Sequence, residues 1–99
     1  MKFYVMKLIA PRPTFACDMS ADERALMQKH ALFWRERMAE GKVIVFGPVM
    51  DPAGPYGIGI VRLEDGVEPK AFWERDPVIV ADCGFTVEVA PMVTAVLAT

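Results

Sequence analysis

Positive charge is scarce and scattered in this chain of 99 residues. Eleven Lys and Arg residues stand against thirteen Asp and Glu residues, the net charge is −2, and no basic cluster occurs. A nucleic-acid-binding surface needs a concentrated patch of positive charge. We therefore expect no nucleic acid among the partners of this protein.

Long apolar runs and a secretion signal are also missing. No apolar stretch approaches the roughly 20 residues of a membrane-spanning helix, so we expect no membrane attachment. The opening run MKFYVMKLIAP is too short, and too interrupted by Lys7, to be a signal peptide. Together these absences predict a cytoplasmic protein.

Residues that bind metals or form disulfides are few, with two cysteines and one histidine in the chain. Cys17 and Cys83 are far apart in sequence, and in a reducing cytoplasm they are predicted to remain free thiols. The chain has no spacing typical of metal ligands, of a phosphate-binding loop or of a serine nucleophile. We therefore predict neither a metal site nor a cofactor.

Apolar residues, in contrast, are abundant. They make up 54% of the chain, and the mean hydropathy is +0.27. This is high for a soluble monomer of one small domain. Burial against a second copy of the chain is the simplest way to remove the excess from water, so we predict a homodimer.

The stretch from Ser20 to Gly41 predicts the main helix. Ser20 and Glu23 form a capping-box pattern at its start, and Gly41 is a typical residue just after its end. Between them runs an apolar stripe at three- and four-residue spacings, formed by Leu26, Met27, Phe33, Trp34 and Met38. His30 lies inside the stripe, where its imidazole is expected to be partly desolvated and to need a partner.

The remaining elements give the order β-α-β-β-α-β. Strands are predicted over residues 2–9, 42–50, 56–63 and 84–92, with a shorter helix over 67–75 and one further turn over 78–81. The prolines within residues 10–19 predict a loop. This order predicts an α+β, ferredoxin-like fold with a four-stranded antiparallel sheet and two helices on one face. Because the other face is also apolar, the sheets of two chains are expected to pack together.

Glycines within the predicted strands mark irregular or close packing. Gly47-Pro48 indicates either a bulge or an edge strand. Gly57 and Gly59 lie on the same face of their strand, where the missing side chains leave room for a ligand or for a nearby aromatic ring, that of Tyr4 or Trp34. The sequence alone leaves both alternatives open.

Several short motifs resemble the YciI-like (YCII-related) family. They are His30 followed by Trp34, then Glu40-Gly41-Lys42-Val43, then Phe46-Gly47-Pro48-Val49-Met50-Asp51, and finally Glu74-Arg75-Asp76-Pro77. The resemblance implies a single domain over residues 1–92 in a dimeric α+β barrel, followed by an apolar tail over 93–99. The tail is a further strand or an arm on a partner. The pattern departs from the family at Val78, where an aromatic residue is common.

The resemblance also implies a pocket built around a His-Asp pair, which by motif position is His30 and Asp76. A histidine gains and loses protons near neutral pH, and a carboxylate on its second nitrogen fixes the tautomer, so the pair suits acid–base catalysis. Each residue has an alternative: His30 as a core residue, and Asp76 as a helix N-cap before proline. The substrate pocket is expected to be lined by Tyr4, Trp34, Phe46, Gly47 and Pro48. The alternative is that these residues belong to the hydrophobic core and line no pocket.

The resemblance to this family also implies a class of function. One related member removes chloride from a chlorinated hydroxyquinol, and distant relatives isomerise lactones or oxidise quinols without a bound cofactor. The resemblance therefore implies a lyase- or isomerase-type enzyme that moves a proton on a small cyclic or aromatic substrate. The alternatives are a non-enzymatic dimeric module that binds a small molecule, and an interaction subunit that docks through the tail from Val93.

Overall fold

Four strands alternate with helices in the computed structural model, which describes residues 1–99. The elements are β1 (Lys2–Ile9), α1 (Phe15–Asp18), α2 (Ala21–Ala39), β2 (Val43–Val49), β3 (Tyr56–Leu63), α3 (Pro69–Trp73), α4 (Pro77–Val80) and β4 (Thr86–Pro91). The strands form one antiparallel sheet in the order β2-β3-β1-β4. The predicted α+β class and four-stranded antiparallel sheet are confirmed, and the topology is consistent with a ferredoxin-like fold.

The long helix α2 begins and ends where the sequence predicts. The Ser20 hydroxyl accepts a hydrogen bond from the Glu23 amide, and the Glu23 carboxylate accepts one from the Ser20 amide, so the capping box is complete. Gly41 follows the helix with a φ of +82°, a left-handed conformation that strains any residue with a Cβ. No helix in the chain combines the length and apolarity needed to cross a bilayer.

The core lies between α2 and one face of the sheet. Strand residues alternate between the two faces, and the side chains that meet α2 form a buried cluster with three aromatic residues of the helices. The cluster comprises Met6, Phe33, Trp34, Val43, Val61, Leu63 and Phe72. The ring of Phe72 meets those of Trp34 and Phe33 edge-on, with centroids 5.0 and 5.7 Å apart, which is a favourable aromatic geometry.

The opposite face of the sheet is apolar and incompletely buried, and we call it the open face. It carries residues of the other parity, among them Phe3, Val5, Val45, Ile58 and Ile60. Val45 is 55% exposed, and only 11 of the 99 residues are buried in the whole chain. The chain therefore has a core on one side of its sheet only. Packing of two sheets across a dimer stays a prediction.

Local structure departs from the predictions at three places. Residues 10–19, predicted as a loop, contain the short helix α1, whose Phe15 is buried with its ring edge-on to Phe85. Of the two alternatives for Gly47-Pro48, the bulge is wrong, because the irregular register of β2 lies between Val43 and Val45. The edge strand is confirmed, because β2 lies at an edge of the sheet. The tail over 93–99 forms no strand, so that alternative is wrong.

Candidate active site

Asp76 is a buried carboxylate at the start of α4. It is only 2% exposed, and its Oδ1 accepts a hydrogen bond of 3.1 Å from the Val78 amide. Pro77 follows at the first helical position, where its lack of an N–H costs nothing. Asp76 therefore does cap a helix, as the structural alternative for this residue predicted.

The second carboxylate oxygen of Asp76 faces α2. Its Oδ2 lies 2.7 Å from Nδ1 of His30 and accepts a hydrogen bond of 2.7 Å from Nε1 of Trp34. His30 and Trp34 are four residues apart and so share one face of the helix. With one oxygen on the cap and the other on two side chains, the buried charge of Asp76 is fully hydrogen-bonded. The cap and the contact with His30 are therefore compatible.

His30 keeps one ring nitrogen without a partner. A carboxylate only accepts hydrogen bonds, so while Asp76 is ionised its contact requires the proton on Nδ1. Nε2 then has a free lone pair, and it makes no hydrogen bond within the protein. The side chain is 13% exposed and lines a cavity. This combination suits Nε2 to accept a proton from a bound molecule.

The cavity has a volume of about 330 Å³ and lies between α2, the sheet and the segment that carries α1. Sixteen of its 24 lining residues are hydrophobic, including Leu8, Phe15, Met27, Phe46 and Val87. A concave, mostly apolar space with a few polar groups is the usual form of a small-molecule site. Neither in this cavity nor elsewhere in the chain do three His, Cys, Asp or Glu side chains come together as metal ligands would.

Four of the five residues predicted for the pocket wall line this cavity: Trp34, Phe46, Gly47 and Pro48. Tyr4 does not, because it lies nearer the start of β1 and packs against the core cluster. The sequence reasoning missed Phe15, since four helical residues are too few to show a periodic pattern.

Gly59 makes room for Trp34. A Cβ at residue 59 would lie 2.5 Å from Cη2 of the indole, far inside van der Waals contact. At Gly57 a Cβ would lie 3.4 Å from Cβ of Leu8, an ordinary contact. The aromatic alternative is thus correct for Gly59. Both Gly57 and Gly59 also line the cavity.

Arg12 anchors the segment between β1 and α2. Its guanidinium donates to both oxygens of Glu23 at 2.7 and 2.8 Å and to Oδ1 of Asp18 at 2.8 Å. The hydrogen bonds from Arg12 lower the pKa of Glu23 to about 2. The Thr14 hydroxyl and then Arg12 lower the pKa of Asp18, and the two carboxylates raise the pKa of Arg12. Arg12 is therefore engaged by acids rather than free for a substrate anion.

Comparison with known protein families identifies a match over most of the chain. A family model described as the YCII-related domain matches residues 1–93, which include all four strands and both His30 and Asp76. Among curated proteins, no match to the sequence was found.

Proposed function

The chain belongs to the YCII-related domain family, and from that premise we propose that it is a cofactor-independent acid–base catalyst. In this proposal, His30 moves a proton on a small cyclic or aromatic substrate during an elimination or an isomerisation. One observation carries the proposal: Nδ1 of His30 lies 2.7 Å from a buried carboxylate, while its other nitrogen is unengaged in an apolar cavity.

The proposed chemistry assigns one task to each side chain. Nε2 of His30 takes a proton from a substrate C–H, and the electron pair of that bond forms a new double bond. In an elimination the leaving group departs with its own bonding pair, whereas in an isomerisation Nε2 returns the proton at another carbon. Asp76 holds Nδ1–H throughout and stabilises the imidazolium that forms. The Trp34 indole N–H keeps the Asp76 carboxylate in place.

Proton abstraction is testable without knowing the product. Cyclic ketones, lactones and substituted aromatics are incubated with the protein in D₂O, and loss of the ¹H NMR signal of the exchanging C–H is followed. We expect a compound whose exchange the protein accelerates, and a decrease of about 10²–10⁴-fold in His30→Gln. Arg35→Gln, an exposed change on the same helix, serves as the matched control and is expected to exchange like the parent protein.

If exchange is equally fast in His30→Gln and in the parent protein, His30 is not the base and the proposal is lost. A compound that binds the cavity but never exchanges would favour the second candidate, a dimeric module that binds a small molecule without converting it. The largely apolar lining is the observation that supports this candidate, because it suits binding whether or not a base is used.

The proposed active form is a cytoplasmic homodimer. The open face, with Val5, Val45 and Ile60 in adjacent strands, supports packing of two sheets against each other. The free and exposed thiols of Cys17 and Cys83 support a reducing compartment. We assign residues 1–92 to the domain and 93–99 to a tail, which in this proposal takes no part in the chemistry.

A further inference from the structure

The cavity contains no basic side chain other than an imidazole. None of its 24 lining residues is Lys or Arg, and its titratable residues are His30, Tyr56 and Asp76. A site that binds a carboxylate or a phosphate ordinarily presents an arginine, a lysine or a set of backbone N–H groups. The lining therefore lacks the cationic side chains that an anionic ligand ordinarily requires.

Nearby cations do not compensate. Arg12 borders the segment over the cavity, but its guanidinium is hydrogen-bonded to Glu23 and Asp18, so that cluster has a net negative charge. By strand alternation Lys7 and Tyr56 both project to the open face, where Nζ of Lys7 lies 4.2 Å from the centre of the Tyr56 ring, so the ammonium is on the opposite side of the sheet from His30. Arg75, next to Asp76 in sequence, is exposed and outside the lining.

While Asp76 is ionised, the two ionisable groups at the base of the site do not sum to a positive charge. With a neutral imidazole, His30 and the ionised Asp76 together carry −1, and with an imidazolium they carry zero. An anion that enters an apolar cavity loses its hydration, and without an opposite charge nothing offsets that loss. The electrostatics of the site thus oppose anionic ligands in either protonation state of His30.

We propose that this site takes uncharged, flat compounds of one or two rings and excludes their carboxylate- or phosphate-bearing analogues. The size of the ligand follows from the cavity volume of about 330 Å³, since an apolar protein cavity of ~150 Å³ holds one benzene ring. In a substrate the reacting C–H faces Nε2 of His30, and in a non-reacting ligand such as an amide an N–H donates a hydrogen bond to the same nitrogen. The proposed ligand class applies to the same site as the proposed function, and it rests on that proposal only for the location of the site.

The test compares 2-naphthamide with 2-naphthoate, which have the same shape but differ by one negative charge at pH 7. Binding to the full chain is measured by calorimetry and by the indole N–H signals of Trp34 and Trp73, since both tryptophans line the cavity. We expect the amide to bind at least about tenfold more tightly than the carboxylate. Equal or tighter binding of naphthoate overturns the proposal, and so does a failure of both compounds to shift the indole signals.

A variant tests whether the missing cation is the cause. Met50 lines the cavity and is 71% exposed, so Met50→Lys introduces a positive charge at the rim without disturbing the core. We expect naphthoate to bind more tightly to Met50→Lys than to Met50→Gln, with the amide little changed. An unchanged affinity for naphthoate counts against the electrostatic explanation. Binding of the amide, combined with no accelerated C–H exchange in any of the ketones, lactones and substituted aromatics of the D₂O assay, would leave this inference standing and count against the catalytic proposal.

Discussion

At the scale of single residues, Asp76 shows how one carboxylate serves two purposes. Its Oδ1 caps α4 and its Oδ2 meets His30 and Trp34. The cap is readable from Asp-Pro in the sequence, and His30 from its place in an apolar stripe. The hydrogen bond from Trp34 to Asp76 cannot be predicted from the sequence, because it depends on how closely α4 approaches α2. The only hint available is that a buried tryptophan usually finds an acceptor for its N–H.

The close contact between Gly59 and Trp34 leads to a residue-scale prediction. Gly59→Ala places a Cβ against the indole ring, so the ring or the strand has to shift and the bond to Asp76 is disturbed. We expect a loss of about 1–3 kcal/mol in the free energy of unfolding, measured by urea denaturation.

Gly57→Ala is the matched control for that measurement, because it makes the same change in the same strand with only an ordinary contact to Leu8. Its expected effect is near zero or slightly stabilising, since alanine restricts the unfolded chain. Equal destabilisation by both variants would show that the contact between residue 59 and the Trp34 ring is not the cause.

At the scale of elements, the sequence predicts both ends of α2 but does not predict the structure of the segment before it. Ser20, Glu23 and Gly41 define both ends of α2 because caps are local interactions. Residues 10–19 are instead shaped by contacts distant in sequence, such as the packing of Phe15 on Phe85. The same holds for Arg12, whose contacts with Glu23 and Asp18 have no local sequence signal.

The Arg12–Glu23 interaction predicts a pH dependence of stability. The pKa of Glu23 is lowered from 4.5 to about 2 in the folded protein. The ionised carboxylate therefore makes its full contribution to stability at pH values above 4.5. This contribution is lost as the pH falls towards 2. We therefore expect the melting temperature of Glu23→Gln to lie below that of the parent protein at pH 7, with the gap closing between pH 4.5 and 2.

Glu36→Gln controls for that experiment, since Glu36 lies on the same helix and makes no side-chain hydrogen bond or ion pair. It is expected to melt like the parent protein at every pH. A Glu23→Gln gap that stays constant down to pH 2 would rule out ionisation of Glu23 as its source.

At the scale of the whole molecule, the sheet is covered on one side only. The apolar excess in the composition already indicated this, because one small core does not bury so many apolar side chains. The structure locates the uncovered residues on the open face, in register across β1, β2 and β3. The sequence could not assign them reliably, because both faces of its strands are apolar.

The proposed dimer is tested by sedimentation equilibrium. We expect the parent protein to have twice the chain mass of 11.0 kDa and Ile60→Lys to be monomeric, because a charge on the open face opposes burial of that face. Leu32→Lys makes the same type of change on the exposed side of α2 and is expected to remain dimeric. A monomeric parent protein at micromolar concentration would contradict the proposal.

In the proposed mechanism, Asp76 holds His30 with its proton on Nδ1, which leaves Nε2 as the base. The most direct measurement is the ¹⁵N–¹H correlation spectrum of the imidazole, which is unambiguous because His30 is the only histidine. In the neutral ring of the parent protein, we expect Nδ1 to carry the proton and Nε2 to have the shift of an unprotonated nitrogen. In Asp76→Asn the single amide oxygen is expected to cap α4 in place of Oδ1, so the NH₂ group faces Nδ1 of His30 and the proton moves largely to Nε2. A ring protonated on Nε2 in the parent protein, or a spectrum unchanged by the substitution, would contradict the account.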